Sequence, residues 1–304
     1  RYGLTERVTL EGNASYRLDS ALESELQETG LVTEQSDRTR LSFGGGTTFR
    51  LTELQEVGGS FSLGRTAYES ERFLDYDTAY AALSWTRSFR NQRDSVRVRP
   101  YWSHNRSEAS EVKTFGLMVG WTRLLTENWT LNAFLGARRT ATESQRLEQE
   151  MVFDPTLLPA FPFVIEERTV TREEESWGGV ADMSVQWTGE TWRFRASYNR
   201  DLSYSGQGEP IERDRLGVLL QKEIDERLSL RCTGSVQESR YEGAFHAGAI
   251  RYHAIDPSIS FRWTERHRLS AGFRYSHHQD QRGEPGGRDR KRIWVSLDCR
   301  FPRV

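Results

Sequence analysis

Arginines recur in this chain two residues apart: Arg38 and Arg40, Arg97 and Arg99, Arg193 and Arg195. Residues at that spacing share one face of a β-strand. Arg17, Arg50, Arg138, Arg231, Arg262, Arg274 and Arg300 sit in comparable alternating runs, and Glu11, Asp182, Asp256 and Asp298 are the acids that fall beside them. Guanidinium groups gathered on one face bind anions through charge-assisted hydrogen bonds, and rings of arginine in a pore favour anion passage. The formal net charge of -2 conceals this face, because most acids fall between the alternating runs.

Other chemistry finds less support. His277, His278 and Asp280 cluster on one segment, with His104, His246 and His253 elsewhere. Histidine supplies a base near neutral pH only where geometry makes it one, and these read as exposed loop residues. No catalytic residues are assigned and the chain is not read as an enzyme. Adjacent histidines lack a defined third ligand, so no metal is expected. Cys232 and Cys299 fit no metal-ligand or CxxCH haem spacing, and lie on strands that are not neighbours, so no disulfide and no cofactor are expected. Nucleic acid is excluded as a partner because the arginines are not interleaved with stacking aromatics.

The elements that must carry the arginines are strands. Arg38 to Leu51 places Leu41, Phe43, Gly45, Phe49 and Leu51 on one face and Arg38, Arg40, Ser42 and Arg50 on the other. An ordinary soluble strand has a mode of about 5–6 residues, whereas a transmembrane β-strand needs roughly 9–11. The same alternation returns near Val8–Leu18, Val57–Leu63, Ala79–Trp85, Val96–Trp102, Phe115–Trp121, Trp129–Ala137, Trp177–Trp187, Trp192–Tyr198, Leu216–Leu220, Leu228–Val236, Ile255–Trp263, Leu269–Tyr275 and Ile293–Phe301. That makes about fourteen strands of membrane-spanning length. Pro100 and Pro257 interrupt two of them and predict bulges or bends; the glycines at 44–46, 58–59 and 178–179 would help a sheet curve.

Short connections are expected near 52–56, 90–95, 125–128, 188–191, 222–227 and 264–268. Longer polar ones are expected near 19–36, 68–76, 104–112, 140–176, 201–213, 238–252 and 277–290. Trp85, Trp121, Trp129, Trp187, Trp192 and Trp263 all stand close to short turns, the arrangement of an aromatic belt at a membrane interface. Hydrophobic residues are 36% of the chain and aromatics 12%, against roughly 45–50% apolar usage in soluble domains; the apolarity is confined to single faces. No run approaches the ~20 apolar residues of a transmembrane helix. The alternative, a soluble propeller or sandwich, would turn the apolar faces into a core.

This pattern resembles the Gram-negative outer-membrane β-barrel superfamily, in particular its fourteen-stranded, porin-like members, over nearly the whole chain. The segment Asp75-Tyr-Asp-Thr-Ala-Tyr-Ala-Ala-Leu-Ser-Trp is similar to porins encoded beside exopolysaccharide-export genes. The chain departs from the usual aromatic ending by continuing past Phe301 to Pro302, Arg303 and Val304, so trimming or an atypical assembly signal is expected. It opens at Arg1 with no signal peptide visible, as a processed product would.

The resemblance implies one closed, antiparallel, up-and-down transmembrane barrel over residues 1–304. It implies periplasmic termini, short periplasmic turns, and long extracellular loops, 140–176 the longest. The expected partners are outer-membrane lipid or lipopolysaccharide, small anionic solutes or a charged polysaccharide, and a periplasmic export partner. The alternative function is a non-conducting anchor or scaffold for an outer-membrane assembly, such as an electron-transfer or secretion complex.

Overall fold

The computed structural model describes residues 2–3, 5–20, 36–70, 73–153, 163–204, 210–241, 249–280 and 287–299, with backbone only at 2–3, 146–153, 163–169, 204, 241 and 280. They form one antiparallel sheet whose strands follow chain order without a crossover. The strands are β1 (Tyr2–Gly3), β2 (Val8–Ser20), β3 (Asp37–Thr52), β4 (Gln55–Tyr68), β5 (Tyr76–Ser88), β6 (Asp94–Ser107), β7 (Ser110–Leu124), β8 (Trp129–Phe153), β9 (Phe163–Thr188), β10 (Trp192–Tyr204), β11 (Pro210–Glu223), β12 (Leu228–Tyr241), β13 (Ala249–Arg262), β14 (His267–Asp280) and β15 (Gly287–Cys299). The expected fourteen long strands are β2 to β15. Closure is not seen: among the described residues β15 pairs with β14 alone, and the sheet runs open from β1 to β15.

Burial is inverted relative to a soluble domain. Along β7 buried and exposed residues alternate. Val112, Thr114 and Met118 are buried, while Phe115, Leu117, Val119 and Trp121 are exposed. The same apolar exposure runs across the sheet, from Leu41 and Phe43 to Val218, Ile259 and Leu297. Aliphatic and aromatic side chains stand exposed on one face while small and polar ones are buried on the other, the reverse of the soluble alternative, in which the apolar face would be the core.

The register explains why the sheet tolerates large inward side chains. Tyr101 pairs with Gly116, Phe134 with Gly120, and Trp294 with Gly272. In each pair the ring lies where a glycine Cβ would project, so an aromatic packs flat on the neighbouring backbone.

One end of the sheet is set by a repeated local device. In five of the turns a side-chain oxygen accepts two backbone N–H bonds: Thr5 from Arg7 and Val8, Asn91 from Arg93 and Asp94, and Thr126 from Asn128 and Trp129. Asp225 does so from Arg227 and Leu228, and Thr264 from Arg266 and His267. Asn, Asp and Thr compete for backbone donors in this way and so close short turns. We call this the turn end and the opposite one the far end. Both Gly3, paired with Thr9, and Cys299, paired with His267, lie at the turn end.

Three expectations fail in detail. The segment 140–176 is mostly strand, since β8 and β9 stay paired from Trp129↔Trp187 to Phe153↔Phe163. Its Thr-, Glu- and Arg-rich sequence has no apolar face to reveal a strand, yet backbone pairing needs none. The connection expected at 104–112 shrinks to 108–109, between Ser107 and Ser110. Pro100 and Pro257 cause no bulge. The ladder lapses beside each on one side only, between Ala82↔Tyr101 and Trp85↔Val98, and between Ile255↔Tyr275 and Ser258↔Gly272. The register is unchanged across both gaps because the flanking pairs hold it while one donor is missing. The register shift is instead at Arg50/Thr52.

Candidate functional site

The polar face divides by height. Near the turn end Arg50, Arg97, Arg193, Arg195, Arg231 and Arg262 are exposed. Several are braced by strand neighbours: Arg97 Nε donates to Thr86 Oγ1 at 2.9 Å, Arg231 Nη2 to Gln221 Oε1 at 3.2 Å, and Arg193 lies 3.3 Å from Glu223. Such contacts aim a guanidinium without removing it from water.

At mid-height Arg195, Arg215 and Arg274 converge from β10, β11 and β14 on a pocket of about 280 Å³, with Ser197, Ser235 and Asp256 in its wall. Arg274 Nε stands 3.9 Å from Asp256 Oδ2. Three guanidinium groups against one carboxylate leave a net positive hollow lined with hydroxyls, a recess that suits phosphate, sulfate or carboxylate groups. Sequence analysis put Arg195 and Arg274 on the arginine face and did not name Arg215. Its signal was available, since Arg213 and Arg215 alternate with Leu216 and Val218 just as Arg193 and Arg195 do with Phe194 and Ala196.

Toward the far end the same face is packed shut. Arg38 is 0% exposed, its Nε and Nη2 donating to the two carboxylate oxygens of Asp19 at 3.0 and 3.1 Å. Arg138 is 1% exposed; Nη1 donates to Thr140 Oγ1 at 2.9 Å and Nη2 lies 3.5 Å from Glu212. Asn105, Thr114, Gln237, Ser239 and His278 are also buried, as are Val112, Ile211, Ile250 and Tyr252. Arg38, expected to line a pore, is therefore withdrawn from solute. Arg40 and Arg99 are half-buried, and Arg99 Nε is buried without a hydrogen-bond partner. Arg300 lies outside the described residues.

The apolar face carries two polar belts. At the turn end stand Trp85, Trp121, Trp129, Trp187 and Trp192, with Trp263 just past β13. Trp129 and Trp187 pair across strands with ring centroids 6.2 Å apart, Trp121 Nε1 donates to Asp94 at 3.1 Å, and Lys222 Nζ sits 4.8 Å over Trp192. At the far end the same face bears ion pairs that sequence reading did not find: Lys113–Glu111 at 2.7 Å, Arg139–Glu175 at 2.7 Å, Arg200–Glu212 at 2.8 Å and Arg240–Glu238 at 2.6 Å. From Trp129 to Arg139 is ten residues, about 33 Å of strand at about 3.3 Å per residue. At the ~40° tilt usual in barrels that is about 25 Å of height, the apolar band expected of an outer-membrane wall.

The sheet forks beneath this far-end belt. Pairing of β9 with β10 stops at Ala181↔Arg200, while β8 and β9 continue together. Arg200, Glu212 and the buried Arg138 meet at the fork.

No protein-family model matches the sequence, and no curated protein is significantly similar to it. Solved structures do match in fold. The alcaligin outer membrane receptor FauA from Bordetella pertussis aligns with a TM-score of 0.55 and 13% identity, over 99% of this chain and 56% of that one. The ferric-catecholate import receptor Fiu from E. coli gives 0.52 and 10%, over 82% and 48%. The ferric yersiniabactin uptake receptor FyuA from Yersinia pestis gives 0.51 and 7%, over 90% and 50%. The chain thus spans about half the length of the solved structures it matches. What is shared is the antiparallel up-and-down sheet of outer-membrane barrels.

Proposed function

We propose that this chain forms the wall of a bacterial outer-membrane β-barrel and carries hydrophilic, preferentially anionic solutes through its arginine-lined interior. The observation that carries the reading is the convergence of Arg195, Arg215 and Arg274 on one inward pocket behind a face of exposed Leu, Val, Ile and Phe. In lipid every backbone polar group needs an internal partner. The free edges of β1 and β15 must therefore be covered, and closure of the wall belongs to the proposal. The turn end, with its tryptophans, faces the periplasm together with both chain ends; the ion-pair belt faces outward among lipopolysaccharide head groups.

Two of the structural neighbours are named for ferric-catecholate import and ferric yersiniabactin uptake, which makes an anionic metal chelate one substrate class. The resemblance of the Asp75–Trp85 segment to export-associated porins makes a charged polysaccharide, handed over by a periplasmic export partner, the other. The test is single-channel conductance in a planar bilayer with the reversal potential read under a salt gradient. Anion-selective openings that lose selectivity in Arg195→Ser/Arg215→Ser support the reading, and cation-selective openings overturn it. A second reading, a non-conducting anchor or scaffold, draws on the packed far end around Arg38 and Arg138; silence from correctly folded protein favours it.

A further inference from the structure

The mid-height pocket interrupts a pattern. Elsewhere on the inner face, polar side chains on neighbouring strands satisfy one another: Ser15 and Ser42 at 2.7 Å, Ser260 and Ser270 at 2.8 Å, Thr122 and Asn132 at 2.9 Å. At the pocket the register denies such partners. Ser197 stands between Gly217 and Ser184, and Ser184 is already engaged by Asn132 at 3.3 Å. Ser235 lies between Gly217 and Ala254. Side chains too short to meet make the hollow, and a Cβ on Gly217 would already stand 3.2 Å from Ser197 Oγ. No side-chain hydrogen bond engages Ser197, Thr233 or Ser235 among the described residues.

Charged groups of both signs in this wall are also uncommitted. Arg195 stands between Gln186 and Leu219, and Arg215 between Asn199 and Gln237. Neither faces an acid, and neither makes a hydrogen bond or ion pair among the described residues. Other inner-face acids are engaged or lie elsewhere. Asp201 is held by Arg213 at 2.9 Å and Glu223 by Arg193 at 3.3 Å, while Asp182 is opposite Asn199 and outside the pocket. The one acid of the pocket wall is Asp256. Its Oδ2 is 3.9 Å from Arg274 Nε, beyond hydrogen-bonding distance, with the side chain 23% exposed. Its Oδ1 is buried without a partner. Guanidinium groups only donate and a carboxylate only accepts. The pocket therefore matches a ligand that brings acceptors to Arg195 and Arg215 and a donor to Asp256. Sulfate or a bare carboxylate brings acceptors alone, and Asp256 repels it.

We propose that this pocket selects small hydroxy acids, carboxylates that carry hydroxyl groups beside the anionic centre. The carboxylate lies at Arg195 and Arg215, a hydroxyl donates to Asp256, and Ser197, Thr233 and Ser235 meet the remaining oxygens. At about 280 Å³ the hollow falls below the roughly 300–1,000 Å³ of pockets for drug-sized ligands, which suits a small acid. The inference rests on the proposed passage of anions along this face, and narrows the solute from any anion to one that also donates.

The test is isothermal titration calorimetry of the detergent-extracted full chain with tartrate and, separately, with succinate. These dianions share a carbon skeleton and differ only in hydroxyl groups. Tartrate should bind about tenfold more tightly. Asp256→Asn removes the charge that repels a bare dianion and weakens the acceptor, so succinate should gain affinity and the preference should shrink to within about twofold. Arg215→Gln should weaken both dianions and preserve their ratio. Equal or absent binding of the two by the unaltered chain overturns the proposal. So does an Asp256→Asn chain that binds both more tightly with the ratio kept, the result expected if Asp256 only neutralises Arg274. Bilayer conductance on the same preparations separates the two readings. A tartrate preference without conductance supports the site and overturns the channel, whereas anion-selective openings with equal affinities overturn the site alone.

Discussion

The two halves of the polar face are built from the same residue types and behave oppositely. At the turn end arginines stand in water, steadied by single hydrogen bonds such as Arg97 to Thr86. At the far end Arg38 and Arg138 are sealed, each held by an acid, and Val112, Ile211 and Ile250 are buried too. The difference is one of neighbours. An arginine beside Ser, Thr or Gln remains a binding group, while an arginine beside a carboxylate and buried aliphatics becomes part of the packing, because a buried charge is tolerated only when paired. The far end is packed, and the turn end leaves its guanidinium groups in water.

The largest effect expected from breaking this contrast is at Arg38. Arg38→Ala leaves Asp19 without its bidentate partner and should cost about 3 kcal/mol, read as a lower midpoint in chemical denaturation from lipid vesicles; a change under about 0.5 kcal/mol would show that the far end is not a packed layer. Gly120→Val should cost about 1–3 kcal/mol by displacing the Phe134 ring that lies over it, and Phe134→Ala in the same chain should recover part of the loss. Trp129→Ala removes a cross-strand ring pair and should cost about 0.5–1.5 kcal/mol. At the other extreme, Arg139→Ala breaks an ion pair whose side chains are 53% and 58% exposed, and should leave the denaturation midpoint nearly in place, with any difference vanishing in high salt. The Arg195→Ser/Arg215→Ser pair should leave the denaturation midpoint in place and move only the ion selectivity.

Much of this was legible in the sequence. Strands between the belts show themselves through a strict alternation of apolar and polar or small residues, as in Phe115–Trp121. Beyond the apolar band the alternation disappears, which is why β8 and β9 read as a loop past Thr140 although their pairing runs to Phe153↔Phe163. The arginine face was readable as a face, but not its division. Whether Arg38 meets Asp19 depends on the β2–β3 register, which sets Asp19 opposite Arg38 and leaves no mark in either strand alone. Trp294 alternates with Ile293 and Val295 in the sequence, yet its packing on Gly272 needed the β14–β15 register. The mid-height pocket likewise requires Ser197, Gly217 and Ser235 from three strands to fall side by side.

The most direct test of the inside-out wall with an open turn end is cysteine accessibility in reconstituted vesicles, in the Cys232→Ser/Cys299→Ser background. A charged, water-soluble thiol reagent is applied to Arg195→Cys on the inner face near the turn end, Thr140→Cys on the packed far end and Val218→Cys on the apolar face. The account predicts rapid modification at position 195 and protection at 140 and 218. Rapid modification at 218 with protection at 195 would contradict it, because the apolar face would then meet water and the arginines would not.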